Sequence, residues 1–257
     1  MFLTSLAVRR PLIVLLAIGA VLAFGLLAWT RLGVALFPTI NVPIVTVVTA
    51  YPGAGPDAVD TLVSEAVLPL VDELRRRGIE YRGVLYAGLM LCDDGAKVIE
   101  YNVRFGDPEA QVVLPLLSSD PAELFHAAAT GRLDEVAPPD FGNQAAVCVV
   151  LASQGYPEHP RTGDVIGGLD GAGQSTARVP GTTVFHAGTR RHHPGGPFHT
   201  SGGRVLDVVA VAPTLARART NAYEAAAPIE WDGMQLRHDI AAAAAGSQAA
   251  RVREAAR

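Results

Sequence analysis

Residues 98–117 read VIEYNVRFGDPEAQVVLPLL. The first part, together with Lys97, is a β-branched and aromatic run with the composition of a strand, and successive side chains of a strand point to opposite faces. Glu100, Asn102 and Arg104 are therefore expected on one face, and Ile99, Tyr101 and Val103 on the other. A carboxylate and an amide oxygen side by side suit magnesium, a hard ion that takes one or two protein oxygens and keeps the rest of its shell for water and substrate phosphates. Arg104 on the same face suits a phosphate or carboxylate. Glu-x-Asn is short, and a strand with an ordinary solvated polar face fits the same spacing.

Working outward, GVLYAGLML at residues 83–91 reads as a buried strand, and Asp93, Asp94 and Gly95 supply a turn, so a hairpin is expected. Downstream, PAELFHAAATG reads as a helix ending at Gly131, and Pro138, Pro139 and Gly142 mark a boundary. Beyond it, AAVCVVLASQGYP is a strand running into a turn, and GDVIGGL and TTVFHAGT supply further strand pieces. GGRVLDVVAVAPTLARARTNAYEAAAPIEW gives a strand followed by an amphipathic helix. His186, His192, His193 and His199 raise a metal reading. His192 and His193, however, stand among Arg190, Arg191, Pro194, Gly195 and Gly196, the composition of a loop between strands. The alanine- and arginine-rich last twelve residues are expected as a solvated helical tail.

The chain has 257 residues, 49% of them hydrophobic, and a formal net charge of -4, which is enough for one large or two small domains. Its charge is nearly balanced without strong runs, so nucleic acid is not expected as a partner. Two cysteines, Cys92 and Cys148, are too few for a disulfide framework or a zinc site and read as small buried side chains. Lys97 is the only lysine. No Walker loop, Gly-x-Ser-x-Gly elbow or paired-cysteine motif occurs.

Towards the N-terminus, residues 11–30, PLIVLLAIGAVLAFGLLAWT, carry no charge and as a helix would cover about 30 Å, the thickness of a bilayer core. Arg9 and Arg10 before the span and Arg31 after it place the N-terminus in the cytoplasm by the positive-inside bias. A cleaved signal peptide is the rival reading. A strand-helix unit is expected over residues 42–67. Between Ala58 and Leu74 the apolar spacing is helical, but Pro69 is tolerated at a helix start and costly inside one, so two abutting helices are expected, one ending near Val67 and one starting near Pro69. A single kinked helix is the alternative.

Two resemblances follow. VIEYNVRFGDPEAQVVLPLL, with VCVVLASQGYP, VFHAGT, TSGGRVLDVVAV and the ending near Arg237 and Asp239, resembles the C-terminal half of the phosphoribosylamine-glycine ligase family, over about residues 69–245. SLAVRRP, the apolar span and LFPTINVPIVTVVTAYPGAGPDAVDTLVSE resemble the start of a resistance-nodulation-division efflux permease, over residues 1–65. The ligase resemblance implies an α+β fold: the last part of an ATP-grasp domain over 69–142, a C-terminal α+β domain over 143–245 and a tail over 246–257. A transporter-like segment over 1–68, with one transmembrane helix, precedes them.

The same resemblance implies an ATP-dependent carbon-nitrogen ligase of purine synthesis acting on glycine and phosphoribosylamine. Glu100 and Asn102 would be ligands of Mg2+ (or Mn2+), ATP a co-substrate, and Arg104 and Asp107 would act near the substrates with Glu109 in the same loop. The family has phenylalanine where this chain has Tyr101, on the face away from the metal. The family's N-terminal half and its phosphate-binding lysines have no counterpart here, so the chain is expected to be inactive alone. A cytoplasmic ligase part and a membrane-inserted start conflict, which suggests a fused frame or an assembly artefact. A transporter segment with a passenger domain, or a non-catalytic binding module, are the other readings.

Overall fold

The computed structural model describes residues 63–92 and 95–246. The expected transmembrane helix at 11–30, the strand-helix unit at 42–67 except its last five residues, the turn residues Asp93 and Asp94, and nearly all of the tail lie outside the described residues. Among the described residues, no helix is long and apolar enough to cross a membrane.

A π-helical turn, Val63–Val67, runs directly into α1, Leu68–Arg76. Pro69 stands in the first turn of α1, where its missing N–H leaves no hydrogen bond unmade, and this is where the helix type changes. Gly78, at φ 68°, ends the helix in the left-handed conformation that glycine adopts without penalty. The hairpin follows as β1, Tyr86–Cys92, and β2, Gly95–Asn102, paired antiparallel. A small core of Ala66, Val67, Val71 and Leu85 joins the helix to the hairpin, with Ala87 and Leu89 against it.

The chain then forms α2, Glu109–Val113, a 3-10 turn at Leu114–Leu116, and α3, Pro121–Thr130. Asp120 caps α3 by accepting from the Ala122 N–H at 2.8 Å, and Gly131 closes it at φ 71°, as its sequence predicts.

The larger core belongs to a three-stranded antiparallel sheet of order β3-β7-β4. Its strands are β3, Ala145–Ala152, β4, Thr182–His186, and β7, Arg204–Ala212. A short hairpin of β5, Thr189–Arg191, and β6, Phe198–Thr200, carries the histidine-rich loop between its strands. GDVIGGL does not form the expected strand: Val165, Gly167 and Leu169 make only isolated bridges, to His199, Glu230 and Ser175. Three glycines and three different bridge partners leave no stretch of edge against which a ladder could extend.

Central strand β7 is flanked on both sides, and cross-strand partners share a face. One face gathers Leu206, Val208 and Ala210 with Val147, Val149, Leu151 and Val184. Helix α4, Leu215–Ala226, covers it, with Ala218, Ala222 and Ala225 wholly buried. Their helical spacing and small size let the helix backbone approach the sheet closely. Asp207 and Val209 occupy the opposite face with Cys148, Val150, Thr183 and Phe185, and α2 packs over β3 and β7.

Candidate functional site

The site starts from the end of β2. Glu100 pairs across the hairpin with Gly88 and Asn102 with Tyr86, so these four residues share one face, while Tyr101 pairs with Ala87 on the other. The Asn102 Nδ2 group donates to Glu100 Oε1 at 2.7 Å, so the two expected metal ligands stand side by side. Glycine leaves room opposite the carboxylate: a Cβ at Gly88 would stand 3.2 Å from Glu100 Cγ, a tight contact from which that side chain would have to shift. Tyr101, 38% exposed, turns its hydroxyl to the carbonyl of Ala66 in the π-helical turn and so ties the hairpin to the first helix.

Two local features depart from the plain alternation of a strand. Gly88 pairs with Glu100 but Leu89 with Val98, which leaves Ile99 as the extra residue of a β-bulge. The strand also ends at Asn102, so alternation does not govern Arg104 as expected. Arg104 is exposed and its Nη1 donates to the Phe105 carbonyl at 2.8 Å. Its positive charge opposes the rise in the Tyr86 pKa.

Past the strand, Phe105 packs on Phe125 of α3, with ring centroids 5.5 Å apart. The chain then turns at buried Gly106 and passes a cis Asp107–Pro108 bond into α2. Glu109 folds back over Gly106 and accepts from the Tyr86 hydroxyl at 3.1 Å. Burial holds the Tyr86 hydroxyl above its ordinary pKa, and the nearby Glu109 and Glu100 carboxylates add to the rise because a phenolate there would meet like charge.

Asp107 is held from two directions. Its Oδ2 faces Arg204 Nη2 at 3.1 Å, and its main-chain carbonyl accepts from the same guanidinium. Its Oδ1 accepts from Gln111 Nε2 at 3.0 Å, and that same nitrogen donates to Asp207 Oδ2 at 2.9 Å. Asp207 has no exposed surface, and burial, followed by the Asp107 charge, raises its pKa. Cys148, on the neighbouring strand, is half-buried and not fully buried as expected, and its thiol is pushed up to about 12, chiefly by burial and then by the Asp207, Asp107 and Glu109 carboxylates.

The sequence therefore indicated Glu100, Asn102, Asp107 and Glu109 but not Tyr86, Gln111, Arg204 and Asp207. A signal for the last was present: Asp207 is the only acidic residue in RVLDVVAVA, a strand otherwise apolar after its first residue. The histidines do not converge on a metal. His186 is engaged by Gly173 and Thr189 at 2.9 Å each, and among the described residues no group of three His, Cys, Asp or Glu side chains could hold an ion.

Comparison with known proteins supplies the context of these residues. Residues 146–243 match the phosphoribosylglycinamide synthetase C domain and residues 45–110 the ATP-grasp (A) domain of the same synthetase. Residues 3–74 match the AcrB/AcrD/AcrF family, so residues 45–74 fall within both of the last two matches. The chain is 50% identical over 196 residues to the phosphoribosylamine–glycine ligase of Streptomyces coelicolor, covering 76% of this chain and 46% of that protein. It is 48% identical over 186 residues to the ligase of Leifsonia xyli, covering 72% and 44%. The crystal structure of the Thermotoga maritima ligase superposes with a TM-score of 0.59 at 33% identity, covering 74% of this chain and 44% of that one. The chain spans less than half the length of the relatives it matches. From about residue 69 onward it resembles the C-terminal half of phosphoribosylamine–glycine ligase, and ahead of that it resembles the beginning of a resistance-nodulation-division efflux permease.

Proposed function

We propose that residues 69–245 are a fragment of phosphoribosylamine–glycine ligase carrying one wall of its catalytic site, with residues 69–142 ending an ATP-grasp domain and 143–245 forming the ligase C-terminal domain. The observation that carries this reading is the Glu100–Asn102 pair at the end of a strand that runs straight into the Arg104–Glu109 loop. The donor set fits magnesium: one carboxylate and one amide oxygen leave the remaining positions to water and phosphate oxygens. With the amide NH2 turned to the carboxylate, presenting both oxygens to one ion requires only that the Asn102 amide rotate by about half a turn, which exchanges its nitrogen and oxygen.

The reaction class is activation of the glycine carboxylate by phosphoryl transfer from ATP, followed by displacement of phosphate by the amine of phosphoribosylamine. The metal supplies neutralisation of charge on the phosphoryl oxygens. The chain's own residues bind and orient. Arg104 is exposed and donates to the adjacent Phe105 carbonyl, and its planar guanidinium suits a carboxylate or phosphate. Asp107 keeps a fixed position between Arg204 and Gln111, so that an acceptor for a substrate amine or hydroxyl stands ready without reorganisation. Glu109 locks the loop onto Tyr86.

The fragment needs the opposite wall of the phosphate site for turnover, since two protein oxygens cannot position ATP and glycine together. The ligase-like part works, in this reading, where ATP is, in the cytoplasm. The test is complementation. The full chain alone should form no glycinamide ribonucleotide from ATP, glycine and phosphoribosylamine, and should recover turnover when mixed with the N-terminal half of a relative. Glu100→Ala should abolish the recovered turnover. Retained turnover in that variant refutes the metal role, and turnover by the chain alone refutes incompleteness.

A further inference from the structure

We propose that Asp207 stands in the folded chain as a neutral carboxylic acid that donates its proton to the side-chain carbonyl of Gln111 and thereby positions Asp107. Four observations carry it. Gln111 Nε2 lies 3.0 Å from Asp107 Oδ1 and 2.9 Å from Asp207 Oδ2, so the amide orientation is fixed: turned the other way, its oxygen would face two carboxylate oxygens. That leaves Gln111 Oε1 buried without a partner. Asp207 Oδ1 is buried without a partner as well. Finally, the two orphaned acceptors belong to side chains already joined at their other ends. One proton on Asp207 Oδ1, directed at Gln111 Oε1, satisfies both at once and closes a two-bond acid-amide ring. Leaving two buried acceptors unmade would cost the desolvation of each.

The surrounding charges agree with this assignment. Arg204 is the one cation facing the cluster from β7, and it is committed to Asp107, whose side chain and carbonyl it both contacts. From the loop and α2 come Asp107 and Glu109, both acidic, and from β3 comes the Cys148 thiol. Phe185 pairs with Asp207 from β4 and offers nothing to an anion. Of two carboxyls sharing one amide, the one with the guanidinium stays ionised and the one without exposed surface takes the proton. Burial raises the Asp207 pKa for the same reason. Its stabilising contribution is therefore complete at acid pH, below the unfolded carboxyl range, and is lost as pH climbs through the folded pKa.

The inference rests on the ligase reading only where it gives Asp107 a role. The experiment uses the full chain labelled with 13C at the aspartate side-chain carboxyls. At neutral pH the parent should show the infrared carbonyl stretch of a protonated carboxylic acid, and Asp207→Asn should remove that band. The amide of this variant can donate to Gln111 Oε1 and accept from Nε2, so it should fold, and its Tm should exceed the parent's by a margin that widens as pH rises. In the complemented mixture the variant should also keep turnover on the alkaline limb, where the parent loses it. Absence of the band at neutral pH, failure of Asp207→Asn to fold, or a Tm deficit that is the same at every pH overturns the neutral acid. The role of Asp107 is read separately: Asp107→Asn with unchanged complemented turnover would remove Asp107 from the reaction while leaving the Asp207 band untouched.

Discussion

Replacing Gly106 by alanine should unlock the site loop without straining the backbone. Gly106 is not among the glycines with positive φ, so an alanine meets no conformational penalty there. Its Cβ would stand 2.2 Å from Glu109 Oε2, 2.8 Å from Cδ and 3.1 Å from Cβ, and the carboxylate must swing away. The movement breaks the 3.1 Å hydrogen bond from the Tyr86 hydroxyl. A hydrogen bond to a charged group contributes about 1.5–3 kcal/mol, and because both partners here are half-buried the lower end applies, near ~1.5 kcal/mol. Replacing glycine by alanine also stabilises by about 0.4–1 kcal/mol through the unfolded chain. The net loss in the parent is then about 0.5–1 kcal/mol, or about 1–4 °C in Tm for a body of this size.

The informative measurement is the double-mutant cycle with Tyr86→Phe, by thermal or denaturant unfolding. With the phenol absent there is no bond to lose, so Gly106→Ala should stabilise by about 0.4–1 kcal/mol, with a coupling of about 1.5 kcal/mol. Additive losses would show that Glu109 is not what the new methyl displaces. The Tyr86 pKa should also fall toward the ordinary tyrosine value in Gly106→Ala, since the Glu109 charge that helps raise it has moved.

The other predictions concern the C-terminal domain. Thr214 caps α4 by accepting from the Arg217 N–H at 3.2 Å, so Thr214→Ala should cost about 1 kcal/mol in denaturant unfolding while Thr214→Asp should not; equal losses would show that the cap is not the source. The Cys148 thiol, pushed up to about 12, should resist alkylation at pH 8 in a Cys92→Ser background and react at an ordinary rate only once the chain is unfolded; fast labelling of the native protein would overturn the assignment.

Local chemistry was legible wherever one or two neighbours decide the outcome. Asp120 and Gly131 bound α3, Pro69 marks the change of helix type, and alternation sets Glu100 and Asn102 on one face, all consequences of backbone geometry within a few residues. GDVIGGL failed as a strand because a strand exists only by virtue of its partner, and the chain offered it three different ones. Arg104 escaped the alternation because β2 ends two residues before it.

The sequence by itself determined the family resemblance, the oxygen pair and the loop that follows, because these are properties of contiguous residues. Only the tertiary structure decided how that loop is held. Arg204 and Asp207 lie 97 and 96 residues from the partners they secure, Asp107 and Gln111, and no periodicity spans such a distance. An aspartate in an apolar strand reads from sequence as an anomaly. With α2 laid across β7 it becomes a buried group whose hydrogen bonds must be met by whatever the fold brings to it, and the fold brings Gln111.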